Sequence, residues 1–207
     1  MPNQILLNTT LDALTHATES YLNLSSSKKS REYSLKAIKL IKENLILAMN
    51  NPNVLTYKKN LLYASFLAGK AFNRGLVGPV HALAHAVGGL YNLDHGYLNM
   101  LFLNDFLKIY IYKCPKKFNK ISTYLGLNKN NDLYEDAYEY IKFIDNILIL
   151  YNVPHVIKEL KKEDIKMLSK RAYKEAILLY PSPTLISSND YENILLTYLD
   201  SFESKAW

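Results

Sequence analysis

One cysteine, Cys114, stands in 207 residues, so no disulfide can close within the chain and a reducing compartment is the natural setting. Long hydrophobic runs are missing as well. No uninterrupted apolar stretch reaches the roughly 18 residues that a membrane span needs, and Met1-Pro2-Asn3-Gln4 puts no basic segment ahead of an apolar one. These absences predict a cytoplasmic protein without a membrane partner. Acidic charge is the scarcer sign, 19 Asp and Glu against 25 Lys and Arg. The lysines are spread along the chain beside those acids, which reads as a solvated basic surface and argues against a nucleic-acid partner.

Alternating strand patterns are also lacking, and the periodicity that is present is helical. Asn8, Thr9 and Thr10 can each cap a helix beginning near Leu11 and running to about Asn23. Leu35, Ile38, Ile41, Leu45 and Met49 mark a long second helix, closed by Asn50, Asn51 and Pro52. From Thr56 to Phe72 the apolar residues fall on most sides, predicting a buried helix. Gly78-Pro79 reads as a helix start and Gly88-Gly89 as its stop. The next helix follows Gly96 and is closed by Pro115. Further helices are expected at about Asp132–Tyr151, Lys162–Leu179 and Asn189–Glu203, the last carrying Ile194, Leu195, Tyr198 and Phe202. Loops fall at Lys28, Asn51, Lys116, Asn128, Pro154 and Tyr180–Asn189. The expectation is an all-α helical bundle, residues 1–207 forming one domain.

Three of the five histidines lie within HALAHAVGGLYNLDH, from His81 to His95, and Asp12 and His16 form a second polar cluster near the start. Residues four apart share a helix face, so Asp12/His16 and His81/His85 each project together. One carboxylate and three imidazoles make an N/O shell suited to Zn or Fe(II) rather than Mg or Ca. A lone HxxxH pair is commonplace in helical cores. Two such pairs with a third histidine beyond a glycine break carry more weight. Six of the seven glycines lie between Gly69 and Gly96, where backbone must turn sharply or approach something closely.

The run from Gly78 to Gly96 closely resembles the signature of the iron-containing (group III) alcohol dehydrogenases, GxxHxxAHxxG followed by a final His-Gly. Asp12-Ala-Leu-Thr-His16-Ala-Thr-Glu19-Ser-Tyr21 is similar to that family's other metal-binding run, DALTHAxExY. Ala64–Asn73, Gly96–Asn99 and Lys162–Ala176 extend the likeness from about Leu11 to Tyr198. The resemblance implies the fold of that family's C-terminal half, shared with dehydroquinate synthase. It implies Asp12, His16, His81 and His95 as ligands of Fe(2+) or Zn(2+), with His85 beside the substrate and the nicotinamide. The activity it implies interconverts a primary alcohol and an aldehyde by hydride transfer, the metal polarising the substrate oxygen.

Three features depart from the family pattern. Asp94 replaces a proline, Arg74 interrupts a run of small residues, and Tyr180-Pro-Ser-Pro183 stands where relatives commonly read Asn-Pro-Arg. Nor does a GxGxxG follow a strand, so the dinucleotide-binding half is expected to be absent from this chain. NAD(P) would then require a separate nucleotide-binding chain, with a homo-oligomer as the other expected partner. A non-catalytic metal-binding helical domain, either a remnant or a subunit needing a separate nucleotide-binding partner, and a glycerol-dehydrogenase-like polyol oxidoreductase are the alternative functions.

Overall fold

Nine α-helices and no strand are found among the described residues, 1–128 and 132–199 of the computed structural model. They are α1 (Asn3–Leu22), α2 (Lys28–Asn50), α3 (Leu55–Gly75), α4 (Pro79–Tyr91), α5 (His95–Tyr110), α6 (Pro115–Leu125), α7 (Leu133–Leu150), α8 (Ile165–Leu179) and α9 (Ser188–Leu196), with a 3-10 turn, Lys162–Asp164, leading into α8. The all-α expectation holds over this range. None of these helices is long and apolar enough to cross a membrane.

The helices are organised around α1, which packs against α2, α3 and α5. Its residues from Leu6 to Leu22 are buried on nearly every side, as befits an interior helix rather than one with a single apolar stripe. Even its hydroxyls turn inward. Thr15 Oγ1 donates to the Leu11 carbonyl at 3.1 Å, and Thr18 Oγ1 lies 2.7 Å from the Leu14 carbonyl and 2.5 Å from the Tyr140 hydroxyl of α7. Around this axis α2 pairs with α3, α6 with α7, α8 with α9, and α4 packs between α5 and α8.

Several boundaries differ from expectation for identifiable reasons. α1 begins at Asn3 rather than Leu11, because Leu6 and Leu7 are buried and draw the helix back. Asn8, Thr9 and Thr10 therefore cap nothing, and Thr9 Oγ1 instead donates to the Ile5 carbonyl inside the helix. α3 starts without a side-chain cap and is buried on one face only, for Leu62 is 73% and Phe66 58% exposed. α4 runs through Gly88 and Gly89 and stops at Asn92, whose left-handed φ of 54° reverses the chain. Asparagine tolerates that conformation through its short polar side chain.

Pro115 opens a helix instead of closing one. α5 has already ended at Tyr110, and α6, missed in the sequence, buries Phe118, Ile121 and Leu125 at helical spacing. Asp132 caps α7 by accepting from the Tyr134 and Glu135 N–H groups, each at 2.9 Å. A Ser187–Asp190 capping box starts α9, which ends at Leu196. The helix expected to run on to Glu203 has already given way to turn and bend at residues 197–199, and the rest of that span, with Phe202, lies outside the described residues.

The glycines serve close approach to α1 more than turning. A Cβ on Gly96 would strike the Asn8 carbonyl, and a Cβ on Gly78 would strike the Glu19 carboxylate. Gly96→Ala is expected to push α5 off α1 at a cost of ~1–3 kcal/mol. The check is a drop in the urea midpoint, together with weaker metal retention because His95 moves with α5.

Candidate metal centre

Asp12, His16 and Glu19 occupy one face of α1 at successive turns. α4 brings His81 to that face, and α5 brings His95 as its first residue. Asp94 is the α5 cap, its carboxylate accepting from the Tyr97 N–H at 2.9 Å. Phe72 of α3 forms a wall, its ring stacked on His16 with centroids 4.5 Å apart.

The structure brings together all four residues expected from the sequence. Asp12, His16, His81 and His95 each offer a donor atom, and those atoms lie within 4.8 Å of one another. Asp12 is the hub. Its oxygens lie 3.5 Å from His16 Nδ1, 3.5 Å from His95 Nε2 and 3.9 Å from His81 Nε2. Four donors about 2.1 Å from a tetrahedral ion stand about 3.4 Å apart; the two 3.5 Å separations, which run to different Asp12 oxygens, approach that spacing, and the group as a whole, within 4.8 Å, would draw in around an ion.

His81 Nε2 is the atom that most calls for a cation. It is buried and finds no hydrogen-bond partner in the protein. A buried imidazole nitrogen aimed at a carboxylate and two further imidazoles, with its lone pair unmatched, suits a cation at that point. Protonation state agrees with this. Burial holds His81 down to about 3, and His16 down to about 4, where the nearby His81 also disfavours charge. Both rings are therefore neutral at pH 7, the form that ligates.

Glu19 fixes His81. The His81 Nδ1–H donates to Glu19 Oε2 at 2.6 Å, while Gly78 and Val80 donate their backbone N–H groups to Oε2 and Oε1, each at 2.9 Å. One carboxylate thus caps α4, which has no cap of its own, and turns His81 Nε2 toward the other donors. Burial pushes the Glu19 carboxyl up to about 7, against the backbone N–H bonds that favour its charge. Asn99, fully buried on α5, donates its amide to Asp12 Oδ1 at 2.8 Å and to His95 Nε2 at 2.9 Å. It holds Asp12 and His95 side by side, and its bond to His95 Nε2 would have to open for that lone pair to reach a metal.

His81 is buried, Asp12 and His16 are half-buried, and His95 is 42% exposed, so the group opens on the His95 side. His85 stands there. Its ring stacks on His95 with centroids 5.2 Å apart and planes 15° from parallel, and its Nδ1 lies 2.7 Å from Glu175 Oε1. Arg74 and the segment from Tyr180 are not among the four donors.

Sequence reasoning left Glu19, Asn99 and Glu175 without roles. Glu19 was detectable, since it follows Asp12 and His16 at i+7 and i+3 on one face. Glu175 gave no such signal, because ninety residues separate it from His85.

The chain matches the sequence profile described as Fe-containing alcohol dehydrogenase family, C-terminal, over residues 6–199. It is 35% identical over 181 residues to alcohol dehydrogenase 4 of Saccharomyces cerevisiae, covering 85% of this chain and 46% of the yeast protein. With the NAD-dependent methanol dehydrogenase of Bacillus methanolicus it shares 29% identity over 197 residues, covering 94% of this chain and 51% of that protein. The crystal structure of a 1,3-propanediol oxidoreductase superimposes with a TM-score of 0.89 at 28% identity, covering 96% of this chain and 53% of that one. The chain spans about half the length of these relatives.

Glu19→Ala would strand two backbone N–H groups and the His81 Nδ1–H in the interior. It is expected to cost ~3–5 kcal/mol in urea unfolding. Glu19→Gln, which keeps the size and one acceptor oxygen, should lose less stability but still bind metal about tenfold more weakly by competition with a chelator.

Proposed function

Because the chain belongs to the iron-containing alcohol dehydrogenase family, matching its C-terminal domain, we propose that it provides the metal-binding half of an NAD(P)-dependent alcohol oxidoreductase. The substrate would be a small primary alcohol or, in reverse, an aldehyde. One observation carries this reading: four donors converge around Asp12 with the His81 Nε2 lone pair unmatched.

Asp12, His16, His81 and His95 would hold the metal, Fe(2+) or Zn(2+). Bound there, such an ion supplies Lewis acidity to an alcohol or carbonyl oxygen. The remaining work belongs to the protein. Glu19 holds the His81 ring with Nε2 turned toward the other donors, and Asn99 would give up its bond to His95 Nε2 and keep the one to Asp12 when a metal enters. Phe72 and the buried wall of α1 keep water from the closed side of the group. On the open side, His85 would accept a hydrogen bond from the substrate hydroxyl and contact the nicotinamide.

Hydride needs an acceptor, which makes a dinucleotide-binding half the required partner, with self-association as a further possibility for covering exposed apolar surface. Support for a docking face near the site comes from Ile177, Leu178 and Leu179. All three are more than half exposed, and they follow Glu175, the residue that holds His85.

Elemental analysis of the purified chain should find stoichiometric Fe or Zn that falls to background in a His81→Ala, His95→Ala double variant. NADH oxidation with small aldehydes should appear once a nucleotide-binding half is supplied. Metal absent from the wild type, or fully retained in the double variant, would overturn the reading.

A further inference from the structure

Glu175 of α8 forms a polar cluster with two side chains that the four donors do not use. Its Oε1 lies 2.7 Å from His85 Nδ1 and accepts the Tyr180 hydroxyl at 2.8 Å. We propose that Glu175 is a positioning residue that fixes the tautomer and orientation of His85, presenting Nε2 as a hydrogen-bond acceptor to a substrate hydroxyl. The proposal rests on the alcohol-oxidoreductase reading of the site.

With Glu175 as an ionised carboxylate, the hydrogen bonds point to Nδ1 as the His85 nitrogen that donates. An ionised carboxylate only accepts, and the Tyr180 hydroxyl already gives its single proton to Glu175 Oε1. Burial, then the hydrogen bond to Glu175, pushes the Tyr180 phenol up and keeps that proton in place. His85 must therefore donate through Nδ1–H. In a neutral imidazole the lone pair then lies on Nε2, on the ring edge away from Glu175.

Orientation is restrained in two independent ways. Stacking on His95 sets the plane of the His85 ring, and the bond to Glu175 sets its rotation within that plane. His85 is 44% exposed, so a ligand can reach it, and Glu175 is partly exposed. A pair this open adds little to stability, which separates positioning from structural support. Glu175 contacts none of the four donors through any hydrogen bond or ion pair.

Ring-nitrogen shifts of 15N-histidine-labelled full chain, loaded with Zn, test this directly, with His85→Ala assigning the signals. Wild type should show His85 protonated at Nδ1 and bare at Nε2. Glu175→Ala should move the proton toward Nε2, the preference of a free imidazole, while Glu175→Gln should restore the wild-type pattern through its side-chain carbonyl. Bound metal should match wild type in both variants. With a nucleotide-binding half supplied, Glu175→Ala should lower kcat about tenfold with metal content unchanged. His85 protonated at Nε2 in wild type, or an unchanged pattern in Glu175→Ala, would overturn the proposal. Absence of metal from wild type would instead defeat the functional reading and leave the tautomer result standing.

Discussion

The buried Glu19 carboxylate is the contact on which the site depends. It reaches from α1 to the first turn of α4, where it takes two backbone N–H groups and the His81 ring N–H. Burying a carboxylate is costly, and the donors around Glu19 offset that cost only in part, since burial still holds its carboxyl up at about 7. The carboxylate and its three donors therefore depend on one another. If α4 shifts or His81 turns, Glu19 loses its partners and the helix loses its cap. Gly78 belongs to the same constraint, since any Cβ there would occupy the carboxylate's place. A single interaction thereby sets the position of a helix and the direction of a donor nitrogen.

α1 extends that logic to the whole group. It supplies Asp12 and His16 directly and positions His81 through Glu19, while its backbone at Asn8 receives α5 through Gly96. Donors on three packed helices are held more rigidly than donors on loops. The two sides of the group differ in consequence. His81 on α4 is buried and the α1 donors are half-buried, whereas His95 and His85 face outward, the side from which the proposed substrate and nucleotide-binding partner would approach.

Much of this was legible in the sequence. Helical spacing paired Asp12 with His16, and the resemblance of two motifs drew His81 and His95 to the same point, where the structure places them. The errors share a physical origin, because local signals were read without the packing that overrides them. Thr9 and Thr10 are capping types, yet burial of Leu6 and Leu7 carries the helix past them. Gly88-Gly89 resembles a stop, but Asn92 provides the reversal. Pro115 is compatible with either end of a helix, and the Phe118, Ile121 and Leu125 stripe was the deciding signal. Glu175 could not be found in advance, since its partner is set by the packing of α8 on α4.

The central claim is that Asp12, His16, His81 and His95 enclose one transition-metal ion. Metal K-edge X-ray absorption on the purified chain tests it most directly. The account predicts four nearest scatterers, all nitrogen or oxygen, at about 2.0–2.2 Å, with the outer-sphere signature of imidazole rings. A shell containing sulfur, or one of oxygens alone without imidazole features, would contradict it.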